Sequence, residues 1–160
     1  MKKKIFVIIL VLLILIVSGG CSQMPFNGDI EFHDISLTVP ERFIRDSTQS
    51  TKDLWIFEHD RYSEVILISR KDLTGEVQAS LEGYVEYMQG NGAESEIVSF
   101  LGDNGVLSTY YKEDVFCQEI LFAYNNSFYA VALRGGTQSG FAEITDTIQI
   151  IGIANDVALV

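Results

Sequence analysis

Two stretches in the C-terminal third of this 160-residue chain, Ile120-Leu121-Phe122-Ala123-Tyr124 and Phe128-Tyr129-Ala130-Val131-Ala132-Leu133, are apolar without alternation. Their length, and the turn formers Asn125-Asn126-Ser127 between them, predict two strands paired antiparallel. An antiparallel sheet with one wet face alternates apolar and polar residues, so runs that are apolar throughout require cover on both faces. Any fold for this chain must therefore place something on each side of a sheet.

The remaining sequence supplies the other elements. Ile35-Ser36-Leu37-Thr38-Val39 alternates and then meets Pro40, which predicts a half-buried strand ending at the proline. Leu54 to Phe57 and Val65 to Ile68 are separated by a charged span too short for a parallel crossover, so they should form an antiparallel hairpin. After Gly75 the period lengthens. Val77, Leu81, Tyr84, Val85 and Met88 make one helical face, which Gly90-Asn91-Gly92 stops. Four strands follow, Ser95 to Leu101, Val106 to Lys112, Cys117 to Tyr124 and Phe128 to Leu133, joined by short turns and hence antiparallel to their neighbours. Phe141, Ile144, Ile148 and Ile151 then share the face of a second helix, with Thr137 or Ser139 as N-cap. The expected fold is α+β: a three-layer α/β/α sandwich with a central, largely antiparallel sheet of about six to seven strands and two main helices, one on each face.

The N-terminus is organised differently. Lys2, Lys3 and Lys4 precede an apolar run from Ile5 to Val17 and the small residues Ser18, Gly19 and Gly20, the layout of a secretory leader. As a helix the run would be about 20 Å long against a hydrocarbon core of about 30 Å, short for a permanent anchor. This divides the chain into a signal peptide (1–20), a tether beginning at Cys21 and containing Pro25 and Gly28 (21–29), and one folded domain (30–160). Without the leader, 8 basic residues face 22 acidic ones, a net charge of about −14. Such a domain repels polyanions, which excludes nucleic-acid binding, and it has no polybasic means of adhering to anionic lipid.

The sequence VSGGC, ending at Cys21, resembles the lipobox of bacterial lipoproteins, although Ser18 stands where an aliphatic residue is usual and Val17 lies one place further back. The resemblance implies that Cys21 becomes the N-terminus, carries acyl chains such as palmitate, and holds the domain to the bilayer on the extracytoplasmic face of the cell membrane. Two or more chains give stable anchoring where one gives only marginal binding. The alternative is an unmodified Cys21 paired with Cys117, the other cysteine of the chain.

From residue 29 to 151 the order of three strands, helix, strand meander and terminal helix, with ISLTVP near its start and FYAVALRGGTQSGFAEITDTIQIIG at its close, resembles the PsbP and Mog1-like family. That family includes photosystem accessory proteins, a Ran-binding factor and bacterial lipoproteins of unassigned role. The resemblance implies a non-enzymatic binding or assembly module with a protein partner in the cell envelope. It carries over no functional residue.

Residues able to do chemistry are few. His33 and His59 each stand among acids, in Glu31-Phe32-His33-Asp34 and Glu58-His59-Asp60; two imidazoles and a carboxylate suit zinc or manganese, so a metal-binding protein or metal-dependent hydrolase is the alternative to the binding module. Their spacing matches no established metal motif, and each also reads as a turn or strand-end residue. Asp103, Glu113, Asp114 and Glu119 are oxygen donors for calcium or simply a solvated acidic face. Cys117 opens an apolar strand and reads as a buried thiol rather than a nucleophile. No Gly-x-Ser-x-Gly elbow and no phosphate-binding glycine loop occurs, so no catalytic residue and no cofactor is expected. Tyr110, Tyr111, Tyr124 and Tyr129, on neighbouring strands, are interface candidates that would line a groove, or else they pack under the helices. Asn125-Asn126-Ser127 has the form of a glycosylation sequon and reads as a turn.

Overall fold

A computed structural model describes residues 26–151; residues 1–25, where the leader, Cys21 and the start of the tether are expected, and residues 152–160 lie outside the described residues. The chain forms β1 (Phe26–Phe32), β2 (Ile35–Arg45), β3 (Leu54–His59), β4 (Val65–Asp72), α1 (Val77–Gly90), β5 (Glu94–Phe100), β6 (Asp103–Lys112), β7 (Val115–Tyr124), β8 (Ser127–Arg134), α2 (Gln138–Thr145) and β9 (Gln149–Ile150). All strands join one antiparallel sheet in the order β1-β2-β3-β4-β8-β7-β6-β5, with β9 beside the start of β2.

This corrects the expected architecture. The sheet has nine strands among the described residues, not six or seven, and the helices have 14 and 8 residues. β1 begins at Phe26, inside the stretch assigned to the tether, although Phe26, Gly28, Ile30 and Phe32 alternate with Asn27, Asp29 and Glu31 at the period of a strand. β2 runs on through Pro40 to Arg45. The register slips between the pairs Gly28↔Val39 and Phe26↔Phe43, and Arg42 takes a φ of 72°. A proline's missing N–H is tolerated at such a bulge, where the ladder is already interrupted. The last helix stops at Thr145 instead of continuing to Ile151. Thr147 Oγ1 donates to the Ile144 carbonyl and accepts from the Thr38 amide, turning the chain out of the helix and onto β2. Ile148 is still buried in the core, as its helical spacing suggested, but from a turn.

The three-layer sandwich is not what forms, because the sheet curls. β1 and β8 are four inter-strand spacings apart, about 19 Å in a flat sheet. Yet the rings of Phe32 on β1 and Tyr129 on β8 are 6.5 Å apart, and Phe32 also meets Trp55 of β3 at 5.1 Å. The first hairpin thus folds over one face of β3, β4 and β8. Ile30, Phe32, Ile35, Leu37 and Val39 from the hairpin, with Phe141, Ile144 and Ile148 from the α2 region, bury Ile66, Ile68, Ile120, Phe122, Tyr129, Val131 and Leu133. Cover on that face comes from a β-hairpin and one short helix rather than from a helix layer.

On the opposite face α1 lies over β5 and β6. Leu81 and Met88 are its buried residues, and Asn91 closes it by donating its amide to the carbonyls of Tyr87 and Met88. On β7 and β8 the core face is covered, but the face toward α1 is covered only in part: Leu121, Phe128 and Ala130 stay half-buried beside a cavity of about 270 Å³ bordered by Ser80 and Tyr84. Cover is missing from the half of β5 and β6 that faces α2.

Candidate functional site

That uncovered region is a groove. Registers along β5, β6 and β7 put Val98, Phe100, Leu107, Gln118 and Ile120 on the face shared with α2, which contributes Phe141, Ala142 and Thr145 from the other wall, with Asp146 at the end of the helix. Together they bound a cavity of about 260 Å³ that opens to solvent. The floor is apolar except for Gln118, whose amide nitrogen donates to Thr109 Oγ1 at 3.1 Å while its Oε1 is buried without a partner. The groove forms because an eight-residue helix spans about 12 Å and cannot cover four strands. Its rim is acidic: Glu94 and Glu96 are exposed on the same face of β5, and with Asp146 they form no ion pair among the described residues. Neither the groove nor its rim was foreseen from the sequence. The alternation of Glu94 and Glu96 with Ser95 and Ile97 was the available signal.

The two histidines do not converge. His33 sits in the β1–β2 turn at a φ of 55°, its Nε2 donating to the Lys52 carbonyl at 2.8 Å and lying 3.2 Å from Asp53 Oδ1. His59 ends β3, where its Nδ1 accepts from the amides of Arg61 and Tyr62 at 3.0 and 3.3 Å. Asp53 adjoins the start of β3, so the imidazoles are held near opposite ends of a six-residue strand, roughly 17 Å apart. One nitrogen of each ring, His33 Nε2 and His59 Nδ1, is engaged in holding a turn. Among the described residues no group of three or more His, Cys, Asp and Glu side chains is placed to hold a metal ion. The calcium candidates are dispersed likewise: Asp103 opens β6, Glu113 and Asp114 form the turn beyond its other end with Glu113 on Arg134 at 3.1 Å, and Glu119 lies within β7.

Nor do the four tyrosines share a groove. Tyr129 is fully buried, stacked on Phe122 at 5.7 Å. Tyr111 is 72% exposed at the end of β6, edge-on to Phe116. Tyr124 borders a polar cleft of about 400 Å³ with Asn104, Asn125 and Asn126. Tyr110 is on the other face, beside Cys117, where burial pushes its phenol up to about 12. Asn125 and Asn126 occupy a tight turn at φ 46° and 58°, with Ser127 buried behind them, which is the turn reading of the sequon.

What the structure does bring together is a polar cluster at one end of the sheet. Tyr129 donates to Asp34, next to His33; Asp53, beside His33, lies 3.6 Å from Arg70, which also meets Asp72 at 2.8 Å. Opposite charges alternate around it, and it latches the first hairpin to the sheet. A second cluster lies under α1. Tyr84 donates a short hydrogen bond to Glu119, and the hydroxyls of Ser95 and Ser108 meet at 2.8 Å. Burial raises the Glu119 carboxyl above the usual range, with the Tyr84 bond opposing, and burial followed by that same bond raises the Tyr84 phenol. Cys117 is buried, and desolvation raises its thiol.

No helix among the described residues is long and apolar enough to cross a membrane. No family model matches the sequence, and no curated protein matches it. Solved structures do share its fold. Cyanobacterial PsbP (CyanoP) from Synechocystis sp. PCC 6803, a solution structure, superposes with a TM-score of 0.56 at 9% identity, covering 83% of this chain and 96% of that one. A crystal structure of a Bacteroides thetaiotaomicron protein superposes with a TM-score of 0.53 at 12% identity over 81% of this chain, which spans about half of that protein. The domain is therefore PsbP-like in fold.

Proposed function

We propose that this chain is a lipoprotein of the bacterial envelope, anchored on the extracytoplasmic face of the cell membrane by acylated Cys21, whose PsbP-like domain binds a partner protein and catalyses nothing. The observation that carries this reading is the sequence before the domain: a basic start, a 13-residue apolar run and VSGGC, followed only four residues later by β1 at Phe26. Four extended residues reach about 13 Å, so the sheet would work close to the bilayer surface. Residence at the membrane then raises the effective concentration of the domain near membrane-bound partners. The likeness to cyanobacterial PsbP supports the fold on which this reading is built.

Binding rather than catalysis is favoured by how the reactive side chains are used. His33 and His59 hold turns, Cys117 is buried with a raised thiol, and Glu119 is taken up by Tyr84. The apolar groove with its unpaired acidic rim is the surface in want of a partner.

Mass spectrometry of the N-terminus tests the anchor. The expected result is a chain beginning at acylated Cys21, with Cys21→Ser accumulating unprocessed or released from the membrane fraction. A leader still attached in protein from healthy cells would overturn it. Crosslinking in the intact envelope should recover the same partner in repeated experiments; random neighbours alone would count against the binding role.

A further inference from the structure

β5 ends the sheet. It pairs only with β6, so its outer row has no ladder partner among the described residues; the Ser95 carbonyl accepts from Gln89 Nε2 at 2.8 Å, which leaves the edge open mainly along Ile97 and Ser99. On the groove face its side chains run in the order Glu94, Glu96, Val98, Phe100: two exposed carboxylates, then two half-buried apolar groups that form the groove's outer wall. An exposed edge of this kind is a template for another strand, and charges placed along it select which strands are accepted.

A second copy of the chain fits poorly. Antiparallel pairing about Ile97 would set Glu94 against Phe100 and Glu96 against Val98, pressing carboxylates onto apolar groups. Parallel pairing of two like edges needs a two-fold axis along the strands, which turns the two groove faces to opposite sides and leaves Val98 and Phe100 without apolar partners. A basic strand meets neither obstacle, and the net charge of −11 draws it in.

We propose, resting on the reading that this chain works by binding, that β5 accepts an extended segment of a basic partner protein as a further antiparallel strand. The partner's residues on the groove face read apolar, apolar, basic, basic at alternate positions. The apolar pair packs beside Val98 and Phe100 over the groove, and the basic pair faces Glu96 and Glu94. Main-chain hydrogen bonds supply the attachment and the alternating side chains the selection.

The test uses the full chain in detergent and fluorescence anisotropy with labelled peptides, so it does not depend on whether Cys21 is acylated. The peptide FTVTKTK carries the deduced pattern, and FTVTETE reverses its charge. FTVTKTK should bind at least about tenfold more tightly. The double variant Glu94→Lys, Glu96→Lys, whose side chains are exposed and whose fold circular dichroism can verify, should invert that preference. Of two FTVTKTK analogues N-methylated on alternate amides, the one blocking the edge-facing row should lose about tenfold or more, while the other binds as before. Equal binding of the two charge forms, a preference unmoved by the double variant, or indifference to both methylation patterns would overturn the proposal. So would no binding up to about 1 mM. Reproducible envelope crosslinks that map away from β5 would overturn it too, while leaving the binding reading intact.

Discussion

The hydroxyl of Tyr129, in the middle of the sheet, donates to Oδ2 of Asp34 in the first hairpin turn across 2.7 Å. The bond spans 95 residues of sequence and holds the curl of the sheet closed. Tyr129→Phe keeps the ring stacked on Phe122 but removes the donor from a part-buried carboxylate. A loss of about 1 to 3 kcal/mol is expected, as for a hydrogen bond to a charged group, measured by urea unfolding.

Alkaline pH should weaken the fold. Burial raises the phenols of Tyr84, Tyr110 and Tyr129 above their ordinary value of 10.0, that of Tyr110 to about 12. A group raised in the folded state contributes stability that is complete below its unfolded value and is lost as pH climbs toward the folded one. Denaturant stability is therefore expected to hold up to about pH 10 and fall above it. Absorbance at 295 nm should show part of the tyrosine ionisation arriving together with unfolding.

Glu119 gives a second pH window. Its carboxyl is raised by burial, so the neutral acid is the form the fold prefers; its contribution is complete below the unfolded value of 4.5 and declines as pH rises through the raised one. Glu119→Gln keeps an acceptor for Tyr84 without the charge. Its melting temperature should match the parent near pH 4 and exceed it at pH 8. Tyr84→Phe removes the bond that opposes the rise, so the variant should lose more stability between pH 4 and pH 8 than the parent does.

Gly135 follows β8 at a φ of 82°, and a Cβ there would lie 2.7 Å from the Ser63 carbonyl oxygen. Backbone cannot yield as a flexible side chain does. Gly135→Ala is expected to cost more than about 1 kcal/mol in strain and displacement, read as a lowered urea midpoint with an unchanged slope.

Leu81 is the fully buried anchor of α1. Leu81→Ala should destabilise the protein by about 2 to 5 kcal/mol, the usual range for emptying a buried leucine site. Hydrogen exchange should speed first in α1, which meets the sheet mainly at β5 and β6.

The strands after α1 were legible to within one to three residues, because Gly102-Asp103-Asn104-Gly105, Glu113-Asp114 and Asn125-Asn126-Ser127 mark turns by local chemistry. β6 nevertheless starts at Asp103 and β7 at Val115, earlier than Val106 and Cys117, because pairing extends the strands into the turn formers. α1 was legible for the same reason: its periodicity and its glycine stop are local. β1 was missed because Pro25 and Gly28 read as loop punctuation, while the strand depends on pairing with β2 across a bulge. The length of α2 was misread because Ile148 and Ile151 keep helical spacing, and only the bond between Thr38 and Thr147 shows where the chain leaves the helix. Tyrosines on adjacent strands are close in sequence register, yet alternation sends Tyr110 to one face and Tyr111 to the other.

What the amino-acid order determined alone is everything that depends on neighbours in the chain: the apolar N-terminal run and its VSGGC end, the acidic charge, the turns, and the demand that β7 and β8 be covered on both faces. What only the tertiary structure decided is who meets that demand. A hairpin from the far end of the chain folds over one face because the sheet curls, and the short α2 leaves β5 and β6 half bare. Curl and cover are sums over many small twists and long-range contacts, which no local pattern encodes; the groove and its acidic edge exist only where those sums leave a gap.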